Sequence, residues 1–246
     1  MRARFGGLGL APATIPLPPL AKRARVSTAP PPRARASTAM AASSSSDANK
    51  NGRVDADAAV VFVCDVQERF RAVVDGFAHC VHVSSVMCRA AEILDLPIVC
   101  TEQYPEKLGA TVEELQPALA ARRTAPKPKK LFSMVTPEVA AALDALPKSR
   151  DVALVMGLEA HVCVLQTAMD LLDRGMTVHV LVDGVSSQRA GDRAVALARL
   201  ASTERCFLST SETALFQMLK TAESECFKPI SALVREPRPE PPLPSV

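Results

Sequence analysis

Two residues with reactive side chains follow apolar runs in this chain of 246 residues. Asp65 ends the run Ala59–Cys64, and Cys163 comes shortly after Gly157, which closes a second run. A carboxylate at a strand end can orient or deprotonate a partner, although Asp65 could equally cap the helix that follows it. The first amides of a helix stabilise a thiolate and can hold an oxyanion, which makes Cys163 a candidate nucleophile.

A lysine could complete such a site, because an ammonium group beside a thiol and a carboxylate favours the thiolate. Lys129 and Lys130 are the candidates, whereas Lys127 in the same run is interpreted as a solvent-exposed charge.

The chain has seven cysteines and no CxxC pair, which excludes a disulfide scaffold, a zinc ribbon and a thioredoxin motif. A helical cysteine is more often structural than reactive, and it is the preceding strand that distinguishes Cys163. Five others lie in predicted strands or a predicted helix, and we expect them to be small core hydrophobes: Cys64, Cys80, Cys88, Cys100 and Cys206.

Metal and nucleotide motifs are missing from the sequence. His79 and His82 are spaced i, i+3, but no further ligand is placed with them. His179 alternates within a predicted strand, and His161 could contact a substrate or simply begin a helix. There is no GxGxxG after the first strand and no Walker lysine loop. We therefore predict no metal site and no cofactor.

Apolar runs and helical patterns alternate between about residues 57 and 235. Unbroken β-branched runs suit strands covered on both faces, and the alternation predicts a mainly parallel sheet with helices on both sides. Ligands bind beyond the carboxyl ends of such strands, so the site is expected around Asp65, Glu102, Gln103, 157–163 and Asp183. The predicted strands are 59–64, 97–101, 152–156, 177–182 and 206–208, and the predicted helices are 77–94, 137–146, 161–174, 189–200 and 212–219.

The positive charge of the chain is confined to its first part. Residues 1–50 hold eight of the 29 basic and one of the 26 acidic side chains, so they carry +7 and residues 51–246 carry −4. An Arg-rich, Ser-rich and acid-poor segment is typical of an organellar transit peptide, for a plastid or a mitochondrion. A disordered extension, translation from Met40 and a basic nucleic-acid-binding arm are the alternatives. Residues 236–246 are Pro-rich and predicted to be disordered.

Several segments resemble the isochorismatase-like cysteine hydrolases, a family that includes nicotinamidases and N-carbamoylsarcosine amidohydrolase. The resemblance covers residues 57–235, and TEQYP and LLDRG look most like the eukaryotic isochorismatase domain-containing proteins. It implies an α/β fold of three layers, α/β/α, with a mainly parallel sheet. The segments are FVCDVQ at 62–67, TEQYP at 101–105, KKLFSM at 129–134, GLEAHVCV at 157–164, LLDRG at 171–175 and VDGVSS at 182–187.

The resemblance implies a catalytic triad of Asp65, Lys129 and Cys163. Lys129 is selected over Lys130 because the family lysine lies three residues before the aromatic residue of an aromatic-Ser pair, here Phe132. The triad would hydrolyse a carbonyl or amide substrate through a covalent thioester-type intermediate.

The family also has a cis peptide bond in the nucleophile turn, which maps to Leu158 and Glu159. This bond helps to aim backbone amides, here those of Ala160 and Cys163, at the substrate oxygen. Side chains that we expect near the substrate are Gln67, Phe70, Gln103, Tyr104, Phe132 and His161.

Two positions depart from the family pattern. Ala160 stands where many members have threonine, and residues 101–109 hold none of the histidines that bind metal in nicotinamidases. We therefore predict a metal-free cysteine hydrolase for a small amide or related C–N substrate, and, from the family, a homo-oligomer. The single tyrosine, the absence of tryptophan and the lack of an apolar run of about 18 residues predict no nucleic-acid or membrane partner. A catalytically idle binding or scaffold protein is the alternative, and an ether hydrolase that needs Asp65 but not Cys163 is a third possibility.

Overall fold

The central sheet of the computed structural model, which describes residues 51–240 and Leu243, has six strands that all run parallel. They are β1 (Ala59–Cys64), β2 (Ile98–Gln103), β3 (Lys127–Lys129), β4 (Val152–Leu158), β5 (Thr177–Ser186) and β6 (Cys206–Ser209). Their order is β3-β2-β1-β4-β5-β6, so the strand order reverses between β1 and β4. A ligand-binding crevice forms at such a switch point, beyond the carboxyl ends of the strands.

Eight α-helices within residues 51–240 cover the sheet in two layers. In one layer the first helix packs on β1, β4 and β5, and the third, seventh and eighth helices pack against it. In the other layer the fifth helix packs on β5, and the sixth packs on β5 and β6. The helices are α1 (Phe77–Ile93), α2 (Pro105–Leu108), α3 (Gln116–Ala121), α4 (Pro137–Asp144), α5 (Leu165–Asp173), α6 (Ala190–Ala201), α7 (Ser211–Leu219) and α8 (Phe227–Val234). The predicted three-layer α/β/α architecture is therefore confirmed.

The two strands at the switch point are buried along their whole length. Every residue of β1 and of β4 is buried, which explains why both segments are unbroken apolar runs. The contact between them leaves no room for a side chain on Gly157, because a Cβ atom there would lie 2.1 Å from the carbonyl oxygen of Cys64. Gly157 has φ 132°, a backbone conformation open to glycine alone, so the sequence must place glycine here.

The sequence patterns missed one strand and three helices. Strand β3 has the sequence Lys-Pro-Lys, which lacks apolar alternation, and proline is tolerated because β3 is an edge strand. Helices α2 and α3 are short, and α8 follows a region without a helical start signal. The predicted helix 161–174 begins instead as a π-helical turn, Ala160–Val164, and continues as α5.

Two predicted segments fall wholly or partly outside the described residues. The predicted transit peptide, 1–50, lies outside them, and of the Pro-rich segment 236–246 only 236–240 and Leu243 are described. Within that part, Glu236 accepts a hydrogen bond of 2.7 Å from Arg89, and Arg238 donates one of 3.0 Å to Glu212. Among the described residues, no helix is both long enough and apolar enough to cross a membrane.

Candidate active site

Three neighbouring strands are each followed by a residue with left-handed backbone. These residues are Asp65 after β1, Tyr104 after β2 and Glu159 after β4, with φ values of 54°, 38° and 58°. Each such conformation costs a non-glycine residue about 1–3 kcal/mol and persists only where the surroundings enforce it. Three of the seven non-glycine residues with positive φ among the described residues therefore lie at the carboxyl edge of the sheet, beside the switch point.

A buried ion pair occupies this edge. The Nζ atom of Lys129 lies 2.7 Å from Oδ2 of Asp65, and neither side chain is more than 1% exposed. The hydroxyl of Thr101 donates a 2.8 Å hydrogen bond to the other carboxylate oxygen, Oδ1. Parallel pairing places these residues together, because Thr101 is in register with Cys64 and Lys129 is in register with Gln103.

The Lys129 ammonium group also organises the loop that follows β3. It donates to Oε1 of Gln103 at 2.7 Å and to the carbonyl oxygens of Leu131 and Phe132 at 3.1 and 2.9 Å. Including Asp65, it has four acceptors for three N–H donors, so its hydrogen-bonding capacity is fully used. The charge of Lys129 therefore fixes both the carboxylate and the path of the loop.

Two thiols lie beside the ion pair. The Cys64 thiol donates to Oδ2 of Asp65 at 3.6 Å, and the Cys163 thiol lies close enough to Cys64 to influence its pKa. Complete burial, the Cys163 contact and the charge of Asp65 together raise the pKa of Cys64 well above its ordinary value. Cys163 itself is 5% exposed. Cys64 thus interacts with Asp65, Lys129 and Cys163, whereas no hydrogen bond among the described residues joins the Cys163 thiol directly to Asp65 or Lys129.

The turn that carries Cys163 is anchored on the inside of the protein. The amides of Val162 and Val164 donate to the carbonyl oxygen of Glu159, which closes the π-helical turn. The Thr167 hydroxyl donates to the Cys163 carbonyl at 2.6 Å and accepts from the Met134 amide at 2.9 Å. Thr167 therefore connects the nucleophile turn to the loop that Lys129 holds.

His161 braces the same turn on its outer side. Its Nδ1 atom lies 3.1 Å from Oγ of Ser187 and 3.3 Å from Oε2 of Glu159, and its Nε2 atom lies 3.8 Å from Asp192. The other oxygen of Glu159 accepts from Gln188 at 3.0 Å. These contacts direct the imidazole toward the start of α6, so the expected substrate contact by His161 stays a prediction.

The remaining side chains expected near the substrate divide into two groups. Gln67 is fully buried, and its amide bonds the backbone of Gln103 and the Gly109 carbonyl. Phe70 belongs to the core. Gln103 contacts Lys129, whereas Tyr104 and Phe132 are 38% and 52% exposed at the rim of the site. Gln67 therefore holds the loop after β2, Phe70 is a core residue, and the exposed Tyr104 and Phe132 are accessible to a ligand.

Glu102 lies near the end of β2, whereas Asp183 lies within β5, which extends to Ser186 beyond the predicted end at residue 182; the carboxylates of both bond backbone amides. Asp183 accepts from the amide and the hydroxyl of Ser211 at the start of α7. Glu102 accepts from the Thr111 amide at 2.6 Å. Among the described residues, no group of three or more His, Cys, Asp or Glu side chains is arranged to hold a metal ion.

Sequence reasoning missed three residues of the cluster: Cys64, Thr101 and Thr167. Cys64 was interpreted as a core hydrophobe, and it is buried, but its thiol touches the carboxylate. Thr101 ends the second predicted strand, and a polar residue at that position is the signal that could have identified it. Thr167 carries no such signal, because threonine on a helix commonly bonds the carbonyl four residues before it.

Comparison with known proteins decides the family. The family model of the isochorismatase domain matches residues 59–214. The chain belongs to the isochorismatase family. It is 47% identical over 189 residues to isochorismatase domain-containing protein 2 of Bos taurus, which covers 77% of this chain and 89% of the bovine protein. The human protein of the same name is 44% identical over the same share of each chain.

Solved structures of this family share the fold. A structure described as a MAR1 ribonuclease from Caenorhabditis elegans superposes with a TM-score of 0.70 and 36% identity, over 79% of this chain and 100% of the nematode chain. The resemblance to the isochorismatase family and its eukaryotic members is thereby confirmed, and membership supports a hydrolase-type function.

Proposed function

We propose that this chain is a cysteine hydrolase for a small amide or related C–N compound, with Asp65, Lys129 and Cys163 as its catalytic residues. The observation that carries the proposal is the buried Lys129–Asp65 ion pair, 2.7 Å long, beside the Cys64 and Cys163 thiols. Burying two charges costs several kcal/mol per ion, so a protein retains such a pair where the charges have a use.

In the proposed reaction the Asp65 carboxylate takes the thiol proton of Cys163 while Lys129 balances the negative charge. The thiolate attacks the amide carbon, and the amides of Ala160 and Cys163 hold the oxyanion. The C–N bond then breaks, and the leaving nitrogen takes the proton from Asp65. Water, deprotonated by the same carboxylate, attacks the thioester, and the acid product leaves as the thiol re-forms.

The burial of the site favours a small substrate. Asp65 and Cys163 are 1% and 5% exposed, so a reactive carbon must enter a narrow space between the strand ends. The nematode neighbour is described as a ribonuclease. A folded polynucleotide does not fit such a space, and residues 51–246 carry a net charge of −4, which repels phosphate groups. RNA is nevertheless a useful substrate in the test.

The test compares the purified chain with Cys163→Ala on a panel of small primary amides, N-carbamoyl compounds and a single-stranded RNA. We expect amide hydrolysis by the unaltered chain, a loss of more than about 1000-fold in Cys163→Ala, and an acyl adduct on the Cys163 peptide. Cys206→Ala is the matched control, since it removes another buried thiol, on β6, outside the cluster.

Equal hydrolysis with and without the Cys163 thiol would refute the proposal. An isochorismate-type enol ether is added to the panel, and hydrolysis of this ether that survives in Cys163→Ala but is lost in Asp65→Asn would identify the ether-hydrolase type instead. If no compound reacts and iodoacetamide labels Cys163 no faster than the other thiols, the idle binding protein becomes the better interpretation. If the chain cleaves the RNA but none of the amides, it has the ribonuclease activity that the description of the nematode protein names.

The oligomeric state of the protein is a separate proposal. We propose a homo-oligomer, supported by the exposed apolar side chains of Leu131 and Phe132 beside the site. Sedimentation at the 26.2 kDa of one chain would contradict it.

We also propose organellar import directed by residues 1–50, tested by fusing them to a fluorescent protein. Diffuse cytosolic fluorescence would contradict the proposed import.

A further inference from the structure

Glu159 combines a strained backbone with a buried, charged side chain. It follows β4, its φ and ψ angles are 58° and 66°, and the residue is only 8% exposed. Glycine adopts this left-handed conformation without steric cost, whereas the β-carbon of a glutamate makes it unfavourable. Burial of a carboxylate adds a second cost in free energy. A glycine would avoid both costs, so we infer that the Glu159 side chain has a use that offsets them.

Polar side chains hold both carboxylate oxygens of Glu159. Gln188 donates from Nε2 to Oε1 at 3.0 Å, and Nδ1 of His161 lies 3.3 Å from Oε2. Gln188 belongs to the segment after β5, which lies beside this turn because Leu158 and Ser186 are in register at the ends of their strands. The carboxylate therefore joins the start of the nucleophile turn to the neighbouring segment and to a residue within the turn.

The backbone of Glu159 sets the shape of the turn that carries Cys163. Its carbonyl oxygen accepts hydrogen bonds from the amides of Val162 at 2.9 Å and Val164 at 3.3 Å, the residues on either side of Cys163. A rotation about the φ or ψ bond of Glu159 would therefore move Cys163. It would also redirect the amide of Ala160, which the proposed reaction uses to hold the oxyanion. A fixed Glu159 side chain restricts that rotation.

We propose that Glu159 is a positioning residue, whose carboxylate keeps the nucleophile turn in the conformation that aligns the Cys163 thiol and the Ala160 amide. This inference rests on the proposed function, because it takes Cys163 to be the nucleophile. The role is one of shape rather than of charge. Glu159→Gln keeps the length of the side chain and an acceptor oxygen for Gln188, so it should preserve the alignment.

The test measures the rate at which iodoacetamide alkylates Cys163 in the folded full-length chain. Mass spectrometry of the tryptic peptide 151–174 reports this rate, because the peptide contains no other cysteine. In Glu159→Gly the backbone strain is relieved but the carboxylate is lost. We expect alkylation to slow by about 10-fold or more, without a fall in the urea concentration at the midpoint of unfolding. Glu159→Gln should restore most of the rate.

Arg123→Gly is the matched control for the change in backbone. Arg123 is exposed, has φ 51° and follows the end of α3, so glycine relieves the same kind of strain on another element. We expect this variant to unfold at a higher urea concentration and to leave the alkylation rate of Cys163 unchanged.

Gln188→Ala tests the same contact from the neighbouring segment. Gln188 is exposed, and its loss frees one oxygen of the Glu159 carboxylate without changing the nucleophile turn itself. Alkylation of Cys163 should slow, by a smaller factor than in Glu159→Gly. This variant decides the matter if Glu159→Gly fails to fold, because an unaltered rate in Gln188→Ala would then overturn the inference.

Two results with Glu159 itself would also overturn it. One is alkylation in a folded Glu159→Gly at the rate of the unaltered chain. The other is an equal change in rate in Glu159→Gly and Glu159→Gln, which would assign the effect to the lost charge instead.

Alkylation separates this inference from the proposed function, because it does not require hydrolysis. A chain that hydrolyses no amide, but in which Glu159→Gly slows alkylation and Glu159→Gln restores it, would support the positioning role and count against the proposed function. Amide hydrolysis that depends on Cys163, with neither its kcat nor the alkylation rate altered in Glu159→Gly, would support the proposed function and exclude the positioning role.

Discussion

The ammonium group of Lys129 and the carboxylate of Asp65 meet at 2.7 Å with both side chains closed off from solvent. They come from strands at different distances from the switch point, since β3 is an edge strand and β1 is central. A charge pair in this setting is stable only as a pair, because removing one member leaves an uncompensated buried charge.

We therefore predict that Lys129→Met lowers the free energy of unfolding by about 3–5 kcal/mol. The substitution also removes the donor to the Leu131 and Phe132 carbonyls, so the loop after β3 should become more accessible to proteases. Urea denaturation measures the first effect and limited proteolysis the second. Lys130→Met is the control, because Lys130 is exposed and its charge lies over the Tyr104 ring. Equal stabilities of the two variants would contradict the prediction.

Thr101 should act as a positioning residue for Asp65. Thr101→Val keeps the shape of the side chain but removes the 2.8 Å hydrogen bond to Oδ1, and an unsatisfied buried acceptor costs about 1–3 kcal/mol. We expect this loss in urea denaturation and slower alkylation of Cys163 by iodoacetamide. Thr101→Ser keeps the hydroxyl and should restore the alkylation rate, whereas a purely structural role would leave that rate unchanged in both variants.

Two glycines provide a matched test of the close approach of β1 and β4. Gly157→Ala would place a Cβ atom 2.1 Å from the Cys64 carbonyl oxygen at φ 132°, and we expect little or no folded protein at 25 °C. Gly191→Ala lies on α6 with nothing within 4 Å of the added methyl group, and should stabilise the chain by about 0.5–1 kcal/mol. Expression yield and thermal unfolding report both outcomes. A well-folded Gly157→Ala would show that the strands can separate.

His179 should make the stability depend on acid pH. Its imidazole stacks on Phe207, its Nε2 atom has no hydrogen-bond partner among the described residues, and burial lowers its pKa to about 4. The unfolded chain, with a histidine pKa of about 6.5, binds the extra proton between these values, so stability falls as the pH falls through this window, by about 3 kcal/mol. Urea denaturation at about pH 7 and about pH 4.5 measures the loss. In His179→Gln the loss of stability between the two pH values should be smaller by about 3 kcal/mol. An equal loss in the variant and the unaltered chain would show that His179 is not its cause.

The sheet could be predicted from the sequence because its central strands are unbroken apolar runs. β1 and β4 were predicted within two residues of their observed ends, since burial on both faces leaves no polar position in them. β3 could not be predicted in this way, because three residues of Lys-Pro-Lys carry no hydrophobic signal and pair only with the end of β2.

The sequence predicts which residues form the candidate site but not which of them contact one another. The residues alone placed Asp65 and Cys163 at strand ends, and the family resemblance selected Lys129. The role of Thr101 and the contact of Cys64 with Asp65 depend on strand register, which couples residues far apart in sequence. Local patterns contain no information on that register, so these partners emerged only from the folded chain.

The absence of a side chain at Gly157 also sets a limit on protein engineering. A designer who copies the three candidate catalytic side chains onto another sheet must also copy this glycine, because a Cβ atom at its position would collide with the backbone of Cys64. The smallest transferable unit is the strand pair with its glycine contact, in which the backbone of one strand occupies the space that a methyl group would fill on the other.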